Sequence, residues 1–376
     1  MASVHPPLSL FLLGDVMPAR GIDQILPHPG DPRLYEDYVH DARDYVTLAE
    51  QRCGPIEHPV DFAYVWGDAL AELQRRQPQV RLINLETAVT RHGRPEPKGI
   101  NYRMTPENFP LLRAAGINCC VLANNHVLDW GETGLRDTLD TLTAHGMPSA
   151  GAGLDRTQAE APAVLALPGG RRLLVFAFGL PDSGIPAWWA AGPHQAGVAR
   201  LDDLSPRSLA HVASLVRAAR QSGDRVVVSL HWGDNWGFAI PDEQRAFAHG
   251  LIEQAGVDLV HGHSSHHIKG LEVHRDRLIL YGCGDRLNDY EGIESHAAFR
   301  GDLGLLYFVR LHDDGRLQAL EMVPTILQRL RINHAEGVDQ RWLYDTLARE
   351  CANFGCGIHI QHDGSFALTW PRSGGP

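Results

Sequence analysis

The chain has no long block of basic residues. Its 34 Lys and Arg stand against 45 Asp and Glu, a formal net charge of −11 over 376 residues. A phosphate-neutralising patch of the kind that holds nucleic acid non-specifically is therefore not expected. Apolar runs of membrane-spanning length are also lacking. The first apolar stretch, Leu8 to Leu13, has no basic region before it and is too short for a signal peptide or a membrane helix. Cysteine is scarce, and Cys53, Cys119, Cys120, Cys283, Cys351 and Cys356 show no zinc-type pairing. Adjacent Cys119 and Cys120 lie in an apolar run and read as buried thiols, while Cys351 and Cys356 could bridge only in an oxidising compartment. These absences predict a cytoplasmic protein with neither a membrane nor a nucleic-acid partner. No clean linker and no internal repeat interrupts the chain. It reads as one domain over residues 1–330, with residues 31–61 inserted, and a C-terminal helix and tail (331–376) packed on it.

What is present fits an enzyme of layered α/β type. Hydrophobic residues make up 44% of the chain and charged ones 21%, enough for a sizeable core without disulfide staples. Short apolar strands alternate with amphipathic segments, the pattern of an α/β fold. Strands are predicted at Leu8–Leu13, Val80–Leu85, Cys119–Ala123, Arg172–Phe178, Arg225–Leu230, Val257–Val260, Leu278–Tyr281 and Leu305–Leu311. Helices are predicted at Phe62–Arg76, Pro106–Ala115, Gly131–His145, Pro206–Gln221, Asp242–Gln254 and Arg341–Phe354, with a frayed tail over Pro371–Pro376.

The polar residues that follow these strands carry the chemistry. Asp15, Glu86, Asn125, His231 and His263 each come directly after a predicted strand, and ligands of open α/β sheets bind at the carboxyl ends of strands. Each alone has a plain structural reading: Asp15 as a turn or cap, Glu86 as a partner of Arg91, His231 as a satisfied core histidine. Jointly they form a nitrogen and oxygen donor set with room for two metal positions, suited to manganese, iron or zinc rather than calcium. The chain holds 21 histidines, and Gly262-His263-Ser264-Ser265-His266-His267 concentrates several imidazoles in one short loop, more than packing alone asks for.

These motifs also resemble a known family. Gly14-Asp15-Val16-Met17, Asn84-Leu85-Glu86-Thr87, Asn124-Asn125-His126-Val127-Leu128-Asp129-Trp130-Gly131, His231-Trp232-Gly233, Gly262-His263-Ser264-Ser265-His266 and Tyr281-Gly282-Cys283-Gly284-Asp285 are similar to those of the CapA proteins of poly-γ-glutamate capsule synthesis. That family is similar in turn to calcineurin-like metallophosphoesterases, and the resemblance spans roughly Ser9 to Leu311. It implies a four-layer α/β/β/α sandwich and a metal-dependent hydrolase of phosphoesterase type with two divalent ions. Asp15 and His266 would hold the first metal, Glu86 would bridge, and Asn125, His231 and His263 would hold the second. His126 would serve as an acid for the leaving group or a clamp on developing charge, with Asp129 either orienting its ring or capping the helix that follows. Lys98 and Arg103, in a loop like the family's Lys-x-x-Asn-Phe-Arg, and Arg20 would contact a small anionic substrate, a phosphoester or a glutamyl compound. Lys98 and Arg103 also have a plain reading as a solvated surface loop. Asp285, Asn288, Asp289 and Glu291 read as a turn or as an amine-recognising loop. Three features depart from the phosphoesterase pattern. Met17 stands where a histidine is usual, the last histidine pair is one residue wider so that His267 competes with His266, and the membrane anchor common in capsule-synthesis members has no counterpart here. A non-catalytic poly-γ-glutamate component and a γ-glutamyl amide hydrolase or transferase are the competing readings.

Overall fold

In the computed structural model, which describes residues 7–293 and 296–371, two sheets organise the chain. Among the described residues, the larger has ten strands. Its main path runs Gly357–Ile360, Phe366–Thr369, Leu317–Leu327, Leu303–Leu311, Leu8–Val16, Val80–Leu85, Cys119–Val121 and Ser149–Ala150. Leu8–Val16, Val80–Leu85, Cys119–Val121 and Ser149–Ala150 are mutually parallel. The smaller sheet has six strands, in the order Leu271–His274, Arg277–Leu280, Leu259–His263, Arg225–His231, Arg172–Gly179 and Ala163–Ala166, with its inner four parallel.

Alternation along the strands assigns side chains to opposite faces. Leu10 and Leu12 join Val175, Val227, Leu259 and Leu280 in a core shared by both sheets. Phe11 and Leu13 face the other way, toward Leu73, Leu112 and Leu135 of helices on the larger sheet. On the far side of the smaller sheet, Phe176, Val226 and Val228 meet Leu209, Val212, Val216 and Leu251. Those contacts explain the helix Pro206–Ala219. Ser205 caps it by accepting from the Ser208 N–H at 3.4 Å, Pro206 opens it, and its buried residues recur at helical spacing.

Most predicted elements recur within a residue or two of their expected ends. The expected helix Phe62–Arg76 is instead a 3₁₀ turn, Tyr64–Trp66, and a helix, Ala69–Arg76. They part at Gly67, which has φ +44° and packs against the Ile332 carbonyl so closely that a Cβ would lie 2.1 Å from it. Pro106–Ala115 likewise splits before Pro110, which cannot donate to a continuing helix. The inserted stretch contributes one helix, Arg43–Cys53. The C-terminal part is more than helix and tail. Gly337–Ala352 buries Leu343, Leu347 and Cys351 in the shared core, and the hairpin Gly357–Ile360/Phe366–Thr369 extends the larger sheet. The tail beyond Pro371 lies outside the described residues. All six cysteines are free thiols, and no described helix is long and apolar enough to cross a membrane.

Candidate metal centre

Both sheets deliver side chains to one rim. Asp15 lies near the end of Leu8–Val16, and Glu86 directly follows Val80–Leu85. Asn125 comes after Cys119–Val121, while His231 and His263 close their strands in the smaller sheet. Close backbone approach makes this possible: a Cβ on Gly14 would lie 2.1 Å from the Gly284 carbonyl, so only glycine fits beside Asp15. Ser264 adopts φ +100°, rare for a side-chain-bearing residue. It thereby aims its N–H at Asp15 Oδ2, 3.1 Å away.

The resulting geometry is tight. Asp15 Oδ1 lies 3.6 Å from His263 Nδ1, and the Nδ1 atoms of His231 and His263 are 2.8 Å apart. His231 Nε2 is 3.1 Å from Asn125 Oδ1. Glu86 Oε1 lies 3.9 Å from both His231 Nε2 and His126 Nε2. Two asparagines that the sequence did not single out as site residues hold the carboxylates. Asn84 donates through Nδ2 to Asp15 Oδ1 at 2.7 Å and to Glu86 Oε2 at 3.0 Å. Asn124 donates to Asn84 Oδ1 at 2.9 Å, and its own Oδ1 accepts the N–H groups of His126 and Val127.

A hydrogen-bond relay beneath the rim sets the tautomer of His263. The Leu13 carbonyl can only accept, so the His261 Nε2 that lies 2.8 Å from it carries the hydrogen. Burial pushes His261 down to about 4, so the ring is neutral and its Nδ1 accepts from the Ser229 hydroxyl at 3.0 Å. The Ser229 oxygen then accepts from His263 Nε2 at 2.8 Å. His263, also held neutral by burial, is left with a lone pair on Nδ1, directed toward His231 and Asp15. His231 Nδ1 lies at hydrogen-bond distance from that nitrogen, 2.8 Å away, and its Nε2 is 3.1 Å from Asn125 Oδ1.

Electrostatics deepen the demand for positive charge there. Burial, then the neighbouring Asp285, raises Asp15 to about 7, and burial followed by Asp15 drives Glu86 well above the usual carboxylate range. Burial holds His231 well below its ordinary value. Neutral imidazoles beside crowded, buried carboxylates are the protonation pattern of a cation site. Ligand atoms of Asp15, His231 and His263 all lie within 4.8 Å of one another. The donor set thus fits a divalent transition metal, with Glu86 and Asn125 in reach of the same cluster.

The other expected residues fall into two groups. His126 Nδ1 donates to Asp129 Oδ2 at 2.6 Å, and Lys98 Nζ donates to Asp129 Oδ1 at 2.8 Å while lying 3.4 Å from His126 Nδ1. Asp129 also accepts from the Tyr102 N–H, so it holds the ring and the Lys98 loop together rather than capping the helix after Trp130, which has no side-chain cap. Burial, the largest influence, lowers His126 to about 4; the resting ring is neutral, with its Nε2 lone pair toward Glu86. His266 turns Nδ1 to Asp285 at 2.9 Å; burial, the largest single influence, lowers the imidazole, but the charge and hydrogen bond of Asp285 together with the Asp15 charge leave it raised. His267 uses both nitrogens on the backbone, donating to the Ile268 carbonyl and accepting from the Gly237 N–H, so His266 is the residue turned to the rim. Arg20 and Arg103 are engaged elsewhere. The Arg20 side chain is 1% exposed, ion-paired to Glu36 and Asp289 and bonded to Tyr45, which leaves it no face for a substrate. Arg103 stacks on Trp130 with its guanidinium carbon 3.8 Å from the ring centroid and donates to the Asp31 carbonyl. Nor do the acidic residues after Cys283 form an exposed turn. Asp285–Leu287 is a strand paired with Leu8–Val16, and Glu291 caps the N–H groups of Arg329 and Leu330.

Comparison with known proteins identifies the family. Residues 9–290 match the family described as bacterial capsule synthesis protein PGA_cap. The chain is 44% identical over 366 residues to a "Probable polyglutamine synthesis accessory protein" of Mycobacterium tuberculosis, covering 96% of each. It is 23% identical to the "PGA biosynthesis protein CapA" of Bacillus subtilis, over 75% of this chain and 63% of that protein. The "Capsule biosynthesis protein CapA" of Bacillus anthracis is 24% identical, over 85% of this chain and 68% of that protein.

Proposed function

Because the chain belongs to the bacterial capsule synthesis protein PGA_cap family, we propose that it works in that setting as a metal-dependent hydrolase, of phosphoester bonds first of all. We read the two sheets with their outer helices as the four-layer α/β/β/α sandwich of metallophosphoesterases. One observation carries the proposal: the Leu13–His261–Ser229–His263 relay directs an imidazole lone pair at the point where His231 and Asp15 also converge. A ring fixed in that tautomer by a hydrogen bond from its far nitrogen is how ligating histidines are commonly held.

Asp15, Glu86, Asn125, His231, His263 and His266 would hold two divalent ions, of manganese, iron or zinc. Such ions supply Lewis acidity toward a water and toward the oxygens of the bond being cut. The chain's own residues do the rest. Asn84 fixes the Asp15 and Glu86 carboxylates in one orientation. Asp129 holds the Nδ1 hydrogen of His126, so Nε2 faces the rim as a proton acceptor. The acid role implied by the resemblance then follows only after His126 has taken up a proton. Lys98, 27% exposed, is the cation positioned to meet an anionic substrate beside His126.

A second reading, a non-catalytic component of polymer synthesis, is favoured by the name of the mycobacterial relative, a polyglutamine synthesis accessory protein; a third is an enzyme acting on γ-glutamyl amide bonds. Elemental analysis of freshly purified protein, with an aryl-phosphate assay under added manganese, iron or zinc, separates these. Metal-dependent turnover that His231→Ala and Asn125→Ala abolish supports the phosphoesterase. Metal-dependent release of glutamate from γ-linked oligomers without phosphatase activity moves the reading to the amide bond. No bound metal and no response to any added metal leaves the accessory role.

A further inference from the structure

At the opposite end of the smaller sheet from the rim lies a second donor cluster. Helix Asp242–Ala255 presents His249 and Glu253 one turn apart. The edge strand Leu271–His274 presents Glu272 and His274 two residues apart, hence on one face. His274 pairs with Arg277, whereas Leu271 pairs with Leu280 beside His261, so the strand carries His274 away from the rim. Ligand atoms of His249, Glu272 and His274 lie within 4.8 Å of one another. His249 Nε2 is 2.9 Å from Glu272 Oε1, and His274 Nε2 is 2.8 Å from Glu253 Oε1. The two imidazoles stack with centroids 3.7 Å apart and planes within 7°.

We propose that His249, Glu253, Glu272 and His274 form a second metal site, for zinc, that staples the edge hairpin to the helix. Two imidazole nitrogens and two carboxylates are a set that zinc accepts in tetrahedral geometry. Glu272 is 5% exposed and oriented by Tyr281, whose hydroxyl donates to it at 2.7 Å, the kind of outer partner that fixes a metal-bound carboxylate. Arg245 and Arg275 now lie 3.1 and 2.9 Å from the same two carboxylates, both on flexible, partly exposed side chains that can swing to water when a dication arrives. His249 and His274 are 24% and 22% exposed, so zinc has a path in from solvent.

The test compares the native chain with His249→Gln/His274→Gln, each loaded with zinc, dialysed and counted by elemental analysis, with circular dichroism to show that both are folded. The difference between the two counts is independent of what the rim holds. One fewer zinc per chain in the variant, together with a zinc-induced rise in melting temperature seen in the native chain and reduced in the variant, is the expected result. Equal zinc counts in the two folded chains would overturn the proposal and leave the cluster as a set of surface ion pairs. Should the double variant fail to fold, His274→Gln alone is counted in its place, with the same two outcomes.

Discussion

Ser229 sits inside an apolar strand, and replacing it by alanine isolates the relay from the rim it serves. Ser229→Ala removes one oxygen that accepts from His263 Nε2 at 2.8 Å and donates to His261 Nδ1 at 3.0 Å. It leaves every rim ligand in place. Two buried ring nitrogens lose their partners, each at a stability cost of about 1–3 kcal/mol. His263 also becomes free to carry its hydrogen on Nδ1, the nitrogen that faces Asp15 and His231, where it would oppose a metal ion. Loss of such an outer hydrogen bond typically weakens metal affinity about 10–100-fold, or about 1.4–2.8 kcal/mol. Calorimetric titration of manganese into native and Ser229→Ala protein reads this directly, with Ser9→Ala, near the start of Leu8–Val16 in the larger sheet and away from the rim, as control. Affinity within about twofold of native, in a folded Ser229→Ala chain, would refute the tautomer argument.

Other outcomes follow from the same geometry. Asp15 and Glu86 have folded-state pKa values raised above their unfolded ones, so their contribution to stability is fully present below the unfolded value and is lost as pH rises through the folded one, about 7 for Asp15. The buried neutral imidazoles of His126, His231, His261 and His263 work the other way, losing stability as pH falls, so the carboxylate effect is read by difference: the melting temperature of metal-free Glu86→Gln relative to the metal-free native chain should be higher at pH 8 than at pH 5, as scanning fluorimetry with chelator would show. Asp129→Asn keeps the shape but offers His126 an amide in place of a carboxylate; kcat should fall about 10²–10⁴-fold with metal content unchanged. Arg20→Met should lower stability by about 3–5 kcal/mol, because it strands Glu36 and Asp289 in the interior, while leaving KM for an anionic substrate unaltered in whatever folded protein remains.

How much of this was legible from sequence depends on what kind of signal each residue leaves. Strand-end polar residues stand out against an apolar run, and Asp15, Glu86, His231 and His263 do converge. Asn84 and Ser229 leave a fainter mark: single polar residues within strands buried on both faces. Such a residue must find a partner, and that rule points to them, though not to which partner. Asp285 was obscured by composition, since a run rich in Asp and Asn reads as a turn until its pairing with Leu8–Val16 is known. Arg20 misled for the opposite reason. A cation after a site strand suggests substrate, yet Glu36 and Asp289, 16 and 269 residues away, claim it, and no local pattern records a contact at that separation.

The larger sheet supplies Asp15, Glu86 and Asn125, the smaller one His231 and His263, and between them lies a core of interdigitated side chains. If the proposed ion is gripped by both sets, it is a rivet through a seam. By linkage, its binding energy and the seating of one sheet on the other become a single reservoir: at a metal concentration of 100 Kd the ion adds about 2.7 kcal/mol to the seated state. Methyl groups buried far from any ligand, such as those of Val227 or Leu259, then act as tuning screws. Paring them down slackens the seam and should loosen the ion, so a metal-binding isotherm reports on packing that no ligand touches.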